Sequence, residues 1–150
     1  MGLRFTAGRG TRLTRLLVAG IACGVGAGAN AADTFRIRLT PVPIEASTAA
    51  ATTGKGSATA QLDGTKLTLK GNFAGLKGSA TAARLHEGAV TGVRGPAIAD
   101  FSVPSAQTGN FTADITLTAA QADSVRRGHV YLQIASASAP DGNLWGWLLP

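Results

Sequence analysis

The chain has 150 residues, of which 14 are Lys or Arg and 8 are Asp or Glu, so its formal charge is +6. The positive excess lies at the start, because residues 1–31 contain four arginines and no acidic side chain. Residues 32–150 therefore carry ten basic and eight acidic groups, a net charge of +2. This balance does not indicate the clustered basic surface of a nucleic-acid-binding protein.

Residues 1–31 have the organisation of a secretory signal peptide. Four arginines come first: Arg4, Arg9, Arg12 and Arg15. An apolar stretch from Leu16 to Ala29 follows, and Ala29-Asn30-Ala31 supplies the small-residue pattern that signal peptidase cleaves. The stretch is shorter than the roughly 20 apolar residues of a membrane span. No adjacent arginine pair precedes it, which favours the general secretion route. We expect cleavage to leave a mature domain, 32–150, in the periplasm or outside the cell.

The single cysteine leaves one alternative for export. Cys23 lies inside the apolar stretch, so cleavage near Ala31 removes it and excludes disulfide bonds from the mature chain. Gly20-Ile21-Ala22-Cys23 loosely resembles a lipoprotein cleavage box, although Gly20 stands where leucine is usual. Lipidation at Cys23 is therefore the alternative to a free secreted protein. Without disulfides the domain depends on its core, and a chain of this length buries about two thirds of its unfolded surface.

The residues after the signal peptide alternate between apolar and polar with a period of two, which is typical of strands with one buried face. Phe35, Ile37 and Leu39 mark the first strand. The segment 41–55 is rich in Pro, Ala and Thr and is predicted to be an exposed loop. Residues 56–73 are predicted to form a hairpin, because Asp63-Gly64 favours a tight turn.

Further strands and one helix complete the predicted domain. The later strands are 80–86, 97–103, 111–117, 130–134 and 143–149. Pro140-Asp141-Gly142 is predicted to turn the chain into the last of them. Between them, Thr118-Ala119-Ala120-Gln121 forms a capping box and Gly128 a stop signal, with Arg126 and Arg127 in the last turn of a short helix. Eight short strands with one short helix predict an all-β fold, an antiparallel Greek-key-like sandwich or flattened barrel.

The alternation also predicts which side chains face inward. They are Phe35, Leu39, Leu67, Leu69, Phe73, Phe111, Ile115, Leu117, Leu132 and Ile134. On the last strand, Trp145 and Trp147 share one face, whereas Leu144 and Leu148 lie on the other. We interpret the tryptophans as core or half-buried packing, with an exposed contact patch for a glycan or protein as the alternative.

Several motifs follow one another along the chain. They are Phe35-Arg-Ile-Arg-Leu-Thr-Pro-Val-Pro-Ile44, Leu62-Asp-Gly-Thr-Lys-Leu67, Gly71-Asn-Phe-Ala-Gly-Leu76, Ala82-Ala-Arg-Leu-His86 with Gly88, Gly92 and Gly95-Pro96, Leu117-Thr-Ala-Ala-Gln121, Val130-Tyr-Leu-Gln-Ile134 and Ala139-Pro-Asp-Gly-Asn-Leu-Trp-Gly-Trp-Leu148. In this order they resemble the CHRD domain, a module named from chordin and also found alone in secreted bacterial proteins. The resemblance implies a β-sandwich, an extracytoplasmic location and no established enzymatic activity.

Two departures from the CHRD pattern bear on metal binding. The resemblance implies a His-x-His motif in the central strand and a further His in a closing strand, where this chain has Arg84 and Ala135. His-x-His could hold one metal, as in the vaguely similar Cu/Zn superoxide dismutases, since residues two apart share a strand face. A metal site needs three or four ligands. His86 is the member of that set that this chain retains, which makes it a weak candidate ligand.

The candidate binding residues are Arg84, His86, Glu87, Arg94, Trp145 and Trp147. We interpret His86 as a structural residue that bonds its own glycine loop, with a ligand or acid–base role as the alternative. Arg84 is predicted to pair with Glu87, Asp100 or Asp141, and otherwise to bind an anion. No Gly-x-Ser-x-Gly, nucleotide-binding glycine motif or paired carboxylates indicate catalysis.

These observations favour a non-enzymatic extracytoplasmic binding or structural module. It would need no cofactor, bind no nucleic acid and have no membrane span, and its partner would be a protein or envelope component. Its oligomeric state does not follow from the sequence. The alternative is a metal-binding or redox protein related to a Cu/Zn superoxide dismutase-like barrel.

Overall fold

A computed structural model describes residues 31–43, 46 and 49–150. The predicted signal peptide up to Asn30, including Cys23, therefore lies outside the described residues, as does part of the predicted loop 41–55. The described elements, in chain order, are β1 (Asp33–Pro41), β2 (Lys55–Asp63), β3 (Lys66–Ala74), β4 (Ala80–Glu87), β5 (Ala97–Phe101), β6 (Gly109–Thr116), α1 (Ala119–Arg126), β7 (Val130–Ser136) and β8 (Ala139–Trp147). In this part of the chain, no helix has the length and apolar character needed to cross a membrane.

The eight strands form one antiparallel sheet in the order β5-β4-β7-β8-β1-β2-β3-β6. The sheet curls into a nearly closed barrel, and its two end strands approach each other where the rings of Phe101 and Phe111 lie 5.7 Å apart. This confirms the predicted all-β fold class with one short helix.

The core occupies the inside of the barrel. All ten side chains predicted to face inward are buried there, and Leu67, Leu69, Leu132 and Ile134 are fully inaccessible. The strand alternation predicted these residues correctly, because each strand buries one face and exposes the other to solvent. Gly146 faces the same way, and a Cβ there would lie 2.5 Å from Cγ2 of Ile37, so β1 packs directly against its backbone.

The helix begins and ends where the sequence predicts. The Thr118 hydroxyl accepts from the Gln121 backbone N–H at 3.2 Å, and the Gln121 side chain accepts from the Thr118 N–H at 2.9 Å. Both bonds of the capping box are therefore present, satisfying two N–H groups that lack partners within the helix. Gly128 follows the helix with φ +72°, a conformation that favours glycine.

The turn predicted at Pro140-Asp141-Gly142 is wrong. Strands β7 and β8 are joined instead at residues 137–138, and Ser136 pairs with Ala139. The Pro-Asp-Gly segment forms a bulge within β8, in which four residues face Ala135 alone. Gly142 has φ +130°, and the Gln133 side chain donates to the Asp141 carbonyl at 2.9 Å. The same residue chemistry that favours a turn therefore serves a bulge, because each can use a glycine with positive φ.

Candidate functional site

The outer surface of strands β4, β7 and β8 carries a cluster of aromatic rings, called here the aromatic face. The strand register aligns its members in two cross-strand rows. One row runs from His86 through Tyr131 to Trp147, and the other from Arg84 through Gln133 to Trp145. Side chains directly opposite on neighbouring strands lie close enough to interact, and in the first row the neighbouring rings contact one another.

Tyr131 is the centre of the aromatic face. Its ring stacks on His86 at 4.9 Å between centroids and at an angle of 12°. The same ring lies 4.7 Å from Trp147 and 5.6 Å from Trp145. Tyr131 is buried, whereas both tryptophans are half-buried. Aromatic contacts of this kind each contribute about 0.5–1.5 kcal/mol beyond burial, so these packed rings, called here the platform, stabilise this face of the sheet.

The loop formed by residues 88–96, called here the glycine loop, lies across the platform. Backbone bonds close it at its base, from the Glu87 N–H to the Pro96 carbonyl (3.0 Å) and from the Gly88 N–H to the His129 carbonyl (2.8 Å). A Cβ at Gly95 would lie 1.7 Å from the Glu87 carbonyl oxygen, and one at Gly88 would lie 2.0 Å from that of Val93. The glycines therefore permit a close approach of backbone to backbone that no other residue allows.

His86 connects β4 to the glycine loop. Its Nδ1 lies 3.0 Å from the Gly95 carbonyl oxygen, an acceptor, so Nδ1 carries the proton and donates. In the neutral ring Nε2 is then an acceptor, and it is buried with no hydrogen-bond partner among the described residues. The Tyr131 hydroxyl supports the same corner, accepting from the Gly95 N–H at 3.3 Å. In the structure, His86 thus makes the loop contact that we expected from its position beside the glycines.

The two charged candidates on β4 have local partners. Arg84 donates to Asp100 on β5 at 2.7 Å, and both side chains are substantially exposed, at 48% and 74%. Such a surface pair contributes about 0–1 kcal/mol. Glu87 accepts from the Ser124 hydroxyl, which in turn accepts from Arg127 at 3.1 Å. Glu87 therefore ties β4 to the helix.

Arg94 lies over the aromatic face. Its guanidinium carbon is 5.8 Å from the centre of the Trp145 ring, a cation–π contact, and the residue is exposed. Arg94 also lines a cleft of about 380 Å³ beside the β8 bulge, together with Asp141, Pro140 and Ser138. The structure thus places His86, Arg94, Trp145 and Trp147 together on one face, with Arg84 and Glu87 at its margins.

Sequence reasoning missed Tyr131 and Ser124. Tyr131 lies between Val130 and Leu132. Because tyrosine is itself largely apolar, the alternation between apolar and polar residues does not show that its side chain faces outward. Its role depends on β7 lying between β4 and β8, a non-local pairing. Ser124 is 2% exposed and reaches Glu87 across 37 positions of sequence.

The described residues contain no group of three or more His, Cys, Asp or Glu side chains that could hold a metal ion. The described strands form a small antiparallel β-barrel, and the glycine loop lies over its aromatic face. This chain belongs to the CHRD domain family, because the model of that family matches residues 35–148, which are most of the chain. Comparison with curated proteins and with solved structures found no match.

Removing the His86 ring tests its structural role. His86→Ala should lower the free energy of unfolding by about 1–3 kcal/mol, because it removes one hydrogen bond and one ring contact, each worth about 0.5–1.5 kcal/mol. His86→Phe retains the stacking on Tyr131 and should lose about half as much. Denaturant melts of both variants, with metal analysis of the purified proteins, measure this. Stoichiometric copper or zinc that disappears in His86→Ala would overturn the structural assignment.

Proposed function

We propose that this chain is a non-enzymatic extracytoplasmic module that binds a protein partner through the tip of the glycine loop. Membership of the CHRD family supports an extracellular binding or structural module. Export through residues 1–31 is part of the same proposal. The backbone bonds that close the glycine loop over the aromatic face support a role in contact with a partner.

The observation that carries the proposal is the distribution of exposed apolar side chains. Among the described residues, the large hydrophobic side chains that are exposed are Val90 (52%), Val93 (47%) and Leu149 (49%). Two of them belong to the glycine loop. The third is close to that loop, because a Cβ at Gly128 would lie 3.4 Å from the Leu149 side chain and 3.5 Å from that of Thr91. Exposed apolar groups that gather in one place indicate an interaction site.

The loop is also held ready for contact. The Thr91 hydroxyl donates to the Gly128 carbonyl at 2.7 Å, and the Val93 N–H donates to that of Val90 at 3.1 Å. Together with the bonds at its base, these contacts hold the apolar tip in one shape before a partner arrives. A pre-ordered loop loses less conformational entropy on binding, which favours affinity.

Site-specific photocrosslinking in the producing cells tests the proposal. A photoreactive amino acid at Val93 should yield a discrete crosslinked protein, whereas the same group at exposed Gln61 on β2 should not. Val90→Asp should reduce the Val93 product about fivefold or more, as expected for a contact worth about 1 kcal/mol. Equal yields at Val93 and Gln61, or a product unaffected by Val90→Asp, would count against the glycine loop as the binding surface.

A further inference from the structure

A second surface, on strands separate from the aromatic face, gathers positive charge. It lies on the outer side of β1, β2, β3 and β6 and is called here the basic face. It consists of two adjacent cross-strand rows. The rows are Arg36–Thr59–Lys70–Thr112 and Arg38–Ser57–Asn72–Asn110. All eight side chains are exposed.

The cations of the basic face have no charged partner among the described residues. Arg36, Arg38 and Lys70 make no ion pair or side-chain hydrogen bond within the described part of the chain, and exposed Lys55 extends the same face. Neither row contains a carboxylate. Asp114, one row further along, already accepts a hydrogen bond from Thr68 at 2.7 Å. Charges left without partners on one face create a local positive potential, although the net charge of the domain is small.

The surface is also elongated. A shallow depression of about 510 Å³ lies over Arg36, Lys70 and Asn110. A second, of about 440 Å³, lies over Arg38 and Lys55, and the two depressions share Ser57 and Asn72. Neighbouring strands are about 4.8 Å apart, so Arg36 and Lys70 stand on the order of 10 Å from each other. A continuous surface with charges at this separation fits an extended chain better than a single small anion.

The side chains between the cations indicate the chemistry of that chain. They are hydroxyls and amides, which both donate and accept hydrogen bonds and so match sugar hydroxyls. The basic face has no aromatic side chain on which nucleic-acid bases could stack. It also has no exposed large apolar side chain, because Val90, Val93 and Leu149 lie elsewhere, so it has nothing to insert into a lipid surface. We propose that the basic face binds an anionic polysaccharide, with Arg36, Arg38, Lys55 and Lys70 contacting its acidic groups.

Calorimetric titration with an oligogalacturonate, a linear chain of acidic sugars, tests this inference. The purified protein should bind it, should not bind neutral dextran, and should bind more weakly as ionic strength rises, because salt screens exposed charges. Arg36→Gln/Lys70→Gln should weaken binding about tenfold or more, since charge-assisted hydrogen bonds are lost. Lys77→Gln/Arg127→Gln removes two exposed cations outside the basic face and outside the glycine loop, and so matches the change in net charge. Binding by this control should stay within about twofold of the unmodified protein.

Three results would overturn the inference. The first is no binding of oligogalacturonate by the unmodified protein at low ionic strength. The second is an equal loss in both double variants, which would show a response to net charge alone. The third is tighter binding of single-stranded oligothymidylate or of phosphatidylglycerol vesicles, lost through Arg36→Gln/Lys70→Gln, because either would assign the face to another class of partner. Thermal unfolding measured on each variant ensures that the comparison is between folded proteins. The inference is independent of the glycine loop, since neither double variant changes a residue of 88–96.

Discussion

Leu69→Ala should lower the free energy of unfolding by about 2–5 kcal/mol, the cost of a large-to-small change at a fully buried site. Leu69 is 0% exposed at the middle of β3. In register it lies between Ala60 on β2 and Ala113 on β6. Both neighbours have short side chains, so they cannot extend into the space that the leucine leaves. We therefore expect little collapse of the cavity and a cost well above that of an average substitution.

The matched control for this prediction is the next residue on the strand. Lys70→Ala changes an exposed side chain of the outer face and should alter stability by no more than about 0.5 kcal/mol. Denaturant melts of the two variants, fitted with a common slope, give the comparison. A loss below about 0.5 kcal/mol for Leu69→Ala would contradict the assignment of its strand face.

The parts of the fold that sequence predicts well are those governed by local rules. Alternation in β1, β3 and β6 depends only on residues two apart, so the inward side chains follow directly from it. The capping box at Thr118 and Gln121 is likewise local, and its two hydrogen bonds are present. The β8 bulge shows where local rules fail. Pro140-Asp141-Gly142 has residues that favour a turn, but here it forms the bulge. The Gln133 side chain on β7 lies beside Gly142 and donates to the Asp141 carbonyl.

The candidate surfaces depend on which strands lie side by side. Tyr131 becomes the centre of the aromatic face because β7 lies between β4 and β8. The local sequence pattern of each strand does not predict this strand order. The basic face is a similar case. Arg36 and Lys70 are 34 positions apart in the sequence, and the net charge of +2 for residues 32–150 gives no sign that they lie on one face. Composition averages over the molecule, whereas binding depends on the local arrangement of charge.

Gly95→Ala should be the most damaging substitution in the glycine loop, lowering the free energy of unfolding by about 2–4 kcal/mol through overpacking and lost hydrogen bonds. The three atoms nearest to the added Cβ would all be backbone atoms, with the Glu87 oxygen at 1.7 Å and the Gly88 Cα at 2.9 Å. Backbone cannot move aside as a flexible side chain can. The loop must therefore lift from β4, which breaks the contacts of Gly95 with His86 and with Tyr131.

Gly92→Ala separates this clash from ordinary backbone strain. Gly92 lies in the same loop with φ +90°, and a Cβ there meets nothing within 4 Å. Its substitution should therefore cost only the strain of a positive φ, about 1–2 kcal/mol.

Denaturant melts followed by tryptophan fluorescence measure both effects, because Trp145 and Trp147 lie beneath the loop and Arg94 covers the first of them. Gly95→Ala should also shift the emission of the folded state, whereas Gly92→Ala should leave it unchanged. If Gly95→Ala is no more destabilising than Gly92→Ala, the close approach of the loop to β4 does not hold the loop in place. The loop would then lack the fixed shape that the proposed binding surface requires.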